Sequence, residues 1–424
     1  MGRELAYVLI NPYPIRKSRT GGVIARVIAR SDLNFVGARM YGPSRELAEK
    51  YADIVRSKDH GASTASDLIA DYILQTYMPD LQTGRPHRVM LLLFEGEDAV
   101  KKIWNITGNA TLKRGSGQTI RDTYGDYIVD ENGRVSYFEP AVLVAPSRRR
   151  AEAALQLWAR YAERDGGVIQ QADDVPEGSD VQQTLVMLKP DNFRVPSSRA
   201  GSIVDILSTS GLRIVGVKKF SMTVAQAEEF YGPVVDALTG KFKDIGSERL
   251  ANAIRNEFGI TTPPAVLGDM CRKLGPLFAK AQFDEIVRFI TGYRPDEVPA
   301  GKRAGAGKEG CLALVYEGHN AVQKIRNILG PTDPSKARPG SVRREFGSNI
   351  MVNAAHASDS PENARREIAI IDVEADTIKP VVDYFYGSVL SRVLSVAKGG
   401  ESGRVRARLR HDRAREKGQL DETQ

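Results

Sequence analysis

Apolar positions along this chain follow two periods. The runs AYVLI (6–10), MLLLF (90–94), LVML (185–188) and LALVY (312–316) are short and unbroken, as buried strands are. Other stretches space their apolar residues by three and four; Ile203, Ile206 and Leu207, for example, share one helix face. The resulting order is strand, helix, strand, helix, strand, helix, then a last strand ahead of a final helix. This order occurs twice. Strand-helix-strand taken twice predicts an α+β fold of the ferredoxin-like kind (βαββαβ) in each of two tandem domains.

The repetition extends to the letters. Residues 6–40 resemble residues 185–219, each passing through Asn11-Pro12 or Lys189-Pro190 to a glycine that opens an amphipathic helix. Each ends on a strand, FVGA (35–38) or IVGV (214–217). DLIADYILQTYMPD (67–80) pairs with FDEIVRFITGYRPD (283–296), and MLLLFEGEDAVKKI (90–103) with LALVYEGHNAVQKI (312–325). GQTIRDTYG (117–125) pairs with PGSVRREFG (339–347). Several blocks in one order mark a duplication. Glycine, proline and acids make 166–180 a linker. The first domain is thus expected at 1–165 and the second at 181–395, followed by a basic tail at 396–424. The second copy carries extra chain around 232–273, where SERLANAIRNEFG (247–259) predicts a helix ahead of Thr-Thr-Pro-Pro. The first copy has its own excess at VDENGRVS, read as an extended hairpin turned at Asn132-Gly133.

Composition narrows the class. With 42% hydrophobic and 27% charged residues, the chain is an ordinary globular protein rather than a disordered one. Two cysteines, Cys271 and Cys311, are too few for a disulfide framework or a four-ligand zinc site. No apolar run reaches the roughly 18 residues that a membrane span needs, and a cytoplasmic protein is expected. Gly2 invites a myristoylation reading, but Ala6 stands where that motif has Ser or Thr. The net charge of +7 is unevenly placed: residues 404–417, RVRARLRHDRAREK, hold seven Lys/Arg against Asp412 and Glu416. That segment reads as a solvated terminus, with nucleic acid as an alternative partner. GKRAGAGKEG (301–310) superficially matches a phosphate loop but has Glu309 after Gly307-Lys308, where Ser or Thr is needed.

Chemistry gathers at His356. Asn353 precedes it, Ser358-Asp359-Ser360 follow, and Glu362 and Glu367 lie on the next predicted helix, from which Glu367 can reach back to the ring. A nucleophilic or proton-shuttling histidine needs one ring nitrogen pinned by an acceptor and the other available. The segments TLVMLKPD (184–191), AEEFYG (227–232), EGHNAV (317–322), KIRNILGPTDP (324–334), ARPGSVRREFG (337–347) and NAAHASDSPENARREI (353–368) extend the pattern. In sequence and order they resemble the nucleoside diphosphate kinase family, over nearly the whole second copy.

The resemblance implies transfer of the γ-phosphate of a nucleoside triphosphate to a nucleoside diphosphate, by a ping-pong mechanism through a phosphohistidine. It implies His356 as nucleophile and Glu367 as the carboxylate that fixes the other ring nitrogen. Tyr231 and Ser358 are implied as hydroxyls near the transferred group. Lys189, Arg326, Arg343 and Thr332 are implied as phosphate ligands, and Asn353 as a ribose contact. The extra chain falls where the family's helical hairpin covers the base; the aromatic stacked on the base is Phe283, Phe278 or neither, and Ile350 is the candidate for the opposite wall. Magnesium (Mg2+) is implied with the nucleotide, held by its phosphates and through water by Asp359, without a metal site made by the protein alone. A homo-oligomer is implied too, and three two-domain chains could mimic a hexamer. The rival reading is a nucleotide-binding regulatory or scaffolding protein with weak or no turnover.

Two departures bear on these expectations. Ala357 follows the histidine where the family usually has glycine, so a positive φ there would strain the loop. In the first copy Asn11 stands for Lys189, Trp104 for Arg326 and Ala110 for Thr332, and the histidine falls on Ala145. Only Arg121 survives, in the place of Arg343. The first copy is expected to be inactive and to supply an interface.

Overall fold

The unbroken apolar runs form the centre of an antiparallel sheet. In this computed structural model, which describes residues 2–56, 64–111, 116–172 and 180–387, the first copy supplies β1 (Arg3–Ile10), β2 (Asn34–Tyr41) and β3 (Val89–Glu97). A separate hairpin follows, β4 (Asp126–Val129) with β5 (Val135–Glu139), and then the short β6 (Val142–Leu143). The second copy supplies β7 (Val181–Leu188), β8 (Arg213–Phe220), β9 (Cys311–His319) and β10 (Ala355–Ala357). Residues 173–179 of the expected linker and the whole basic tail lie outside the described residues.

One eight-stranded sheet runs β10-β7-β9-β8-β2-β3-β1-β6. Each half has the order fourth, first, third, second strand, which is the ferredoxin-like arrangement, and the second half mirrors the first. The strands of both copies belong to one compact unit, made of the described residues of Met1–Phe220 and Cys311–Gly399, whereas 221–310 of the second copy belong to another. These strands are buried on both faces because helices from each copy cover them, which explains runs without alternation.

The seam between the copies is a pseudo-two-fold. β2 meets β8 with Arg39 opposite Lys218, and each strand carries a bulge at the equivalent place, Phe35/Gly37 and Ile214/Gly216. Both cations are 2% exposed. Arg39 donates to the carbonyls of Ala162, Glu374 and Ala375 at 3.0, 2.8 and 2.8 Å. Lys218 donates to those of Ile371 and Asp372 at 3.1 and 2.6 Å, where the helix Pro361–Ile371 ends. Charged donors on terminal carbonyls offset the cost of burying the charge. Above the seam the helices Thr20–Ser31 and Arg199–Ser208 touch backbone to backbone. A Cβ on Gly201 would lie 2.2 Å from the amide nitrogen of Ala25, so only glycine allows this approach.

The second unit contains Ser221–Gly310 and is mostly helical. The helix predicted at 247–259 is part of a longer one, Val234–Phe258, which stops at Gly259 with φ +69°. Pro263 and Pro264 then open the helix Pro264–Thr291, and the two long helices pack as a hairpin with Phe242 stacked on Phe278 at 4.8 Å. The shorter helix Val224–Tyr231 is tied within this unit by the Arg303–Glu228 ion pair at 2.9 Å. No helix among the described residues is long and apolar enough to cross a membrane.

Sheet register corrects the internal alignment. Arg3 pairs with Glu97 and Val181 with His319, so Arg3 corresponds to Val181 and the first strands match one residue earlier than the letters suggest. Leu9 pairs with Leu143 while Met187 pairs with His356. The histidine's place in the first copy is therefore Leu143, not Ala145. Helix caps agree: Ser147 and Ser360 each cap the following helix, and Leu143 and His356 each stand four residues before the cap.

Candidate active site

β10 is only three residues long, and it holds His356 at the edge of the sheet against β7. Ser360 accepts from the Asn363 amide at 3.1 Å and starts the helix Pro361–Ile371, whose second turn brings Glu367 back over the strand. His356 Nε2 lies 2.9 Å from Glu367 Oε2, and Ser358 Oγ donates to the same oxygen at 2.6 Å. Glu367 and Ser358 are buried, whereas the His356 side chain keeps 22% exposure. A carboxylate against Nε2 favours the tautomer with the proton on that nitrogen, which puts the ring's lone pair on Nδ1. The arrangement can support nucleophilic attack from Nδ1 with Glu367 stabilising the positive ring.

The backbone leading to the histidine is strained at a place the sequence reading did not select. Ala357 lies in β10 without positive φ, so replacing the family's glycine carries no penalty there. Ala354 has φ +70° instead, and Ala141 of the first copy has φ +59°. The left-handed conformation costs an L-residue about 1–2 kcal/mol. It turns the Ala354 carbonyl to accept from the Lys189 amide at 3.0 Å and from Asn192 Nδ2 at 2.7 Å. Asn192, fully buried, thereby clamps the turn after β7 to the strand bearing the histidine. Sequence reasoning missed it; its only trace was a polar residue just after Lys189-Pro190.

The Lys189 ammonium donates to Asn353 Oδ1 at 2.7 Å and to the Met351 carbonyl at 3.1 Å. Burial, with the nearby Arg343 charge acting in the same direction, lowers its pKa to about 8. Asn353 is buried, its amide nitrogen donating to the carbonyls of Ile350 at 2.7 Å and Thr332 at 3.2 Å. One lone pair of its Oδ1 remains available to a ribose hydroxyl. Ile350 is half exposed on the same turn, and Thr332 and Arg326 face solvent. The Arg326 side chain makes no hydrogen bond among the described residues.

Arg343 is differently engaged. It donates to the carbonyls of Gly330 at 2.8 Å and Ala355 at 3.1 Å. Arg121 in the first copy donates to the equivalent carbonyls, Gly108 at 2.8 Å and Val142 at 3.0 Å. The one cation kept by both copies thus ties the turn after a helix to the last strand. Its presence in the first copy is explained by folding alone.

The remaining expected residues lie in the second unit. Tyr231 is buried at the end of Val224–Tyr231, and Phe283 is half-buried on Pro264–Thr291.

The first copy has lost the cluster. Counting from the equivalent caps, Leu143, Ala145 and Ala154 replace His356, Ser358 and Glu367. Asn11 is fully buried, donating to Glu139 Oε1 at 3.2 Å and accepting from the Tyr77 hydroxyl at 2.7 Å. Tyr72 donates to Glu139 Oε2 at 2.7 Å, and burial pushes the Glu139 carboxyl above its usual range. This closed network occupies the neighbourhood that Lys189 holds in the second copy.

Known proteins match the second copy. A family model described as nucleoside diphosphate kinase matches residues 182–244 and 306–375. A nucleoside diphosphate kinase of Campylobacter hominis is 30% identical over 189 residues, 45% of this chain and 93% of its own length. That of Bdellovibrio bacteriovorus is 31% identical over 190 residues, covering 45% and 92%. A crystal structure of the Aquifex aeolicus nucleoside diphosphate kinase shares 27% identity, over 47% of this chain and 98% of that one. Its TM-score of 0.28 carries no structural argument, and the fold stands on the strand register above.

Proposed function

This chain belongs to the nucleoside diphosphate kinase family, and we propose that its second copy moves a γ-phosphoryl group between nucleotides through His356. The observation that carries this reading is the hydrogen-bonded set His356–Glu367–Ser358. Nδ1 attacks the γ-phosphorus of a nucleoside triphosphate. A nitrogen–phosphorus bond forms as the bond to the bridging oxygen breaks, and the nucleoside diphosphate leaves with the electron pair. The ring gains positive charge, which Glu367 stabilises opposite Nε2–H. A terminal oxygen of a second nucleoside diphosphate then attacks the phosphorus, and the neutral imidazole returns.

Phosphoryl transfer through a loose transition state depends on positioning and on positive charge around the equatorial oxygens. Arg326, exposed and without a hydrogen-bond partner among the described residues, is available for a bidentate contact. Lys189 and Arg343 contribute charge from fixed positions, with Thr332 as a hydroxyl donor. Tyr231 and Phe283 keep the roles implied by resemblance, at the transferred group and at the base. Magnesium would come with the nucleotide and neutralise its phosphates. Asp359 is suited to a water-bridged contact: it is exposed, with Oδ1 accepting from Asn363 at 2.6 Å.

The first copy, lacking nucleophile and relay, acts in this reading as the permanent partner of the second across the β2–β8 seam. Three such chains assembling together would present six copies of the fold. The direct test incubates the full chain with γ-labelled ATP, looks for acid-labile, base-stable label, and chases it onto GDP. His356→Ala should carry no label and transfer none while its melting temperature stays near that of the parent. Undiminished labelling of that variant would end the proposal.

A further inference from the structure

The first copy has lost its catalytic groups but not its hollow. A cavity of about 750 Å³ lies in that copy, within the range of pockets that hold small organic ligands. Its lining includes Trp104, Ala110, Arg121, Leu143 and Ala145. By register and caps these are the counterparts of Arg326, Thr332, Arg343, His356 and Ser358. The cavity therefore occupies the place of the candidate active site, with its chemistry replaced.

The replacements change which molecule would fit. Two arginines, Arg121 and Arg150, line the cavity, and no described lining residue is acidic. Arg121 is 5% exposed and spends both terminal nitrogens on backbone carbonyls, while its buried Nε has no hydrogen-bond partner. Burial lowers its pKa to about 10, so it stays charged at neutral pH. Two of its five N–H donors are spent on carbonyls and the group is almost wholly covered, so it presents too little surface to the cavity for the spread of contacts that a polyphosphate chain demands. The Trp104 ring stands 6.0 Å from the Arg121 guanidinium carbon, so a flat surface sits beside the charge. Tyr51, Ile69 and Leu143 add apolar wall.

We propose that this cavity is a second ligand site, which takes an organic anion with one charged group on a flat ring body. The charged group lies at Arg121 and Arg150, and the ring lies against Trp104. Nucleotide and non-nucleotide sources share this chemistry, and adenosine monophosphate and 1-anilinonaphthalene-8-sulfonate separate them as probes. The chain has two tryptophans, and Trp158 is fully buried in the core. Trp104, partly exposed on the cavity wall, is therefore the residue whose emission responds to a ligand there.

The test titrates the full chain with each probe and follows tryptophan emission. At least one probe should give a saturable change that Trp104→Phe removes and His356→Ala leaves intact. Ala110→Phe, which fills the cavity from its rim, should abolish binding while phosphoryl transfer by the second copy continues. Arg150→Glu should weaken binding at least tenfold. ADP should bind this site at least tenfold more weakly than the better probe. The proposal is overturned if neither probe alters Trp104 emission, if binding survives both Ala110→Phe and Arg150→Glu, or if ADP binds the site as tightly. None of the overturning outcomes depends on whether His356 is phosphorylated.

Discussion

Replacing Glu367 by glutamine removes one charge and almost nothing else. The new side chain can place its amide oxygen where Oε2 stood, so His356 Nε2 and Ser358 Oγ, now at 2.9 and 2.6 Å, keep an acceptor. What disappears is the attraction between a carboxylate and a ring that becomes positive as Nδ1 bonds to phosphorus. A hydrogen bond to a charged group contributes about 1.5–3 kcal/mol and a neutral one about 0.5–1.5, a difference of roughly 1–2 kcal/mol. If that difference falls wholly on the transition state, the rate of His356 phosphorylation drops about 5- to 30-fold. Glu367→Ala should do more damage, because the ring loses its orientation as well as its counter-charge. The assay is single-turnover labelling with γ-labelled ATP under rapid quench, which isolates phosphorylation from product release. A Glu367→Gln rate equal to the parent's would show that the carboxylate does not act on the reacting ring. A loss as complete as that of His356→Ala would show that charge stabilisation is not its main role.

Other outcomes follow from the same geometry. Lys189 has a pKa of about 8 in the folded chain against 10.5 as its ordinary value, so its charge disfavours folding at neutral pH. Stability attributable to this group should rise as pH increases from about 8 to 10.5. KM for nucleotide should climb over the start of the same window as the ammonium is lost, and Lys189→Arg should flatten that limb; a KM unchanged up to pH 9.5 would contradict this. Gly201→Val forces a side chain into the backbone of the facing helix and should cost about 1–3 kcal/mol, read as a lower denaturation midpoint. An unchanged midpoint would mean that the helices are not in contact there. Ala354→Gly should relieve about 1 kcal/mol of left-handed strain, measured in urea, without changing transfer rates. Residues 181–424 expressed alone would bare the edge of β8, and light scattering should find them aggregated or self-paired. A well-behaved fragment with the parent's stability and assembly would remove the interface role of the first copy.

The histidine cluster was legible because it is local. Asn353, His356, Ser358 and Glu367 lie within fifteen residues, and a strand followed by a capped helix suffices to fold the glutamate back onto the ring. The strands were legible too, since burial on both faces leaves an unbroken apolar run. The fate of the first copy was legible only in outline. Letters aligned the histidine with Ala145, whereas the pairing of Leu9 with Leu143 shows that the ring's place is filled by leucine. A two-residue strand has too little pattern to set its own register; its hydrogen bonds to β1 do so.

By itself, then, the order of residues determined that there are two copies of one α+β fold and that only the second has a complete histidine motif. Tertiary structure alone decided that the copies share one sheet, since the pairing of β2 with β8 rests on backbone hydrogen bonds and on the close approach of Gly21 and Gly201 at a helix crossing, which no periodicity marks. It alone separated Arg343's structural duty from its charge, because the decisive bonds run to the Gly330 and Ala355 carbonyls and recur at Arg121. Main-chain carbonyls look alike in every residue, so contacts made through them become readable only once the chain has folded.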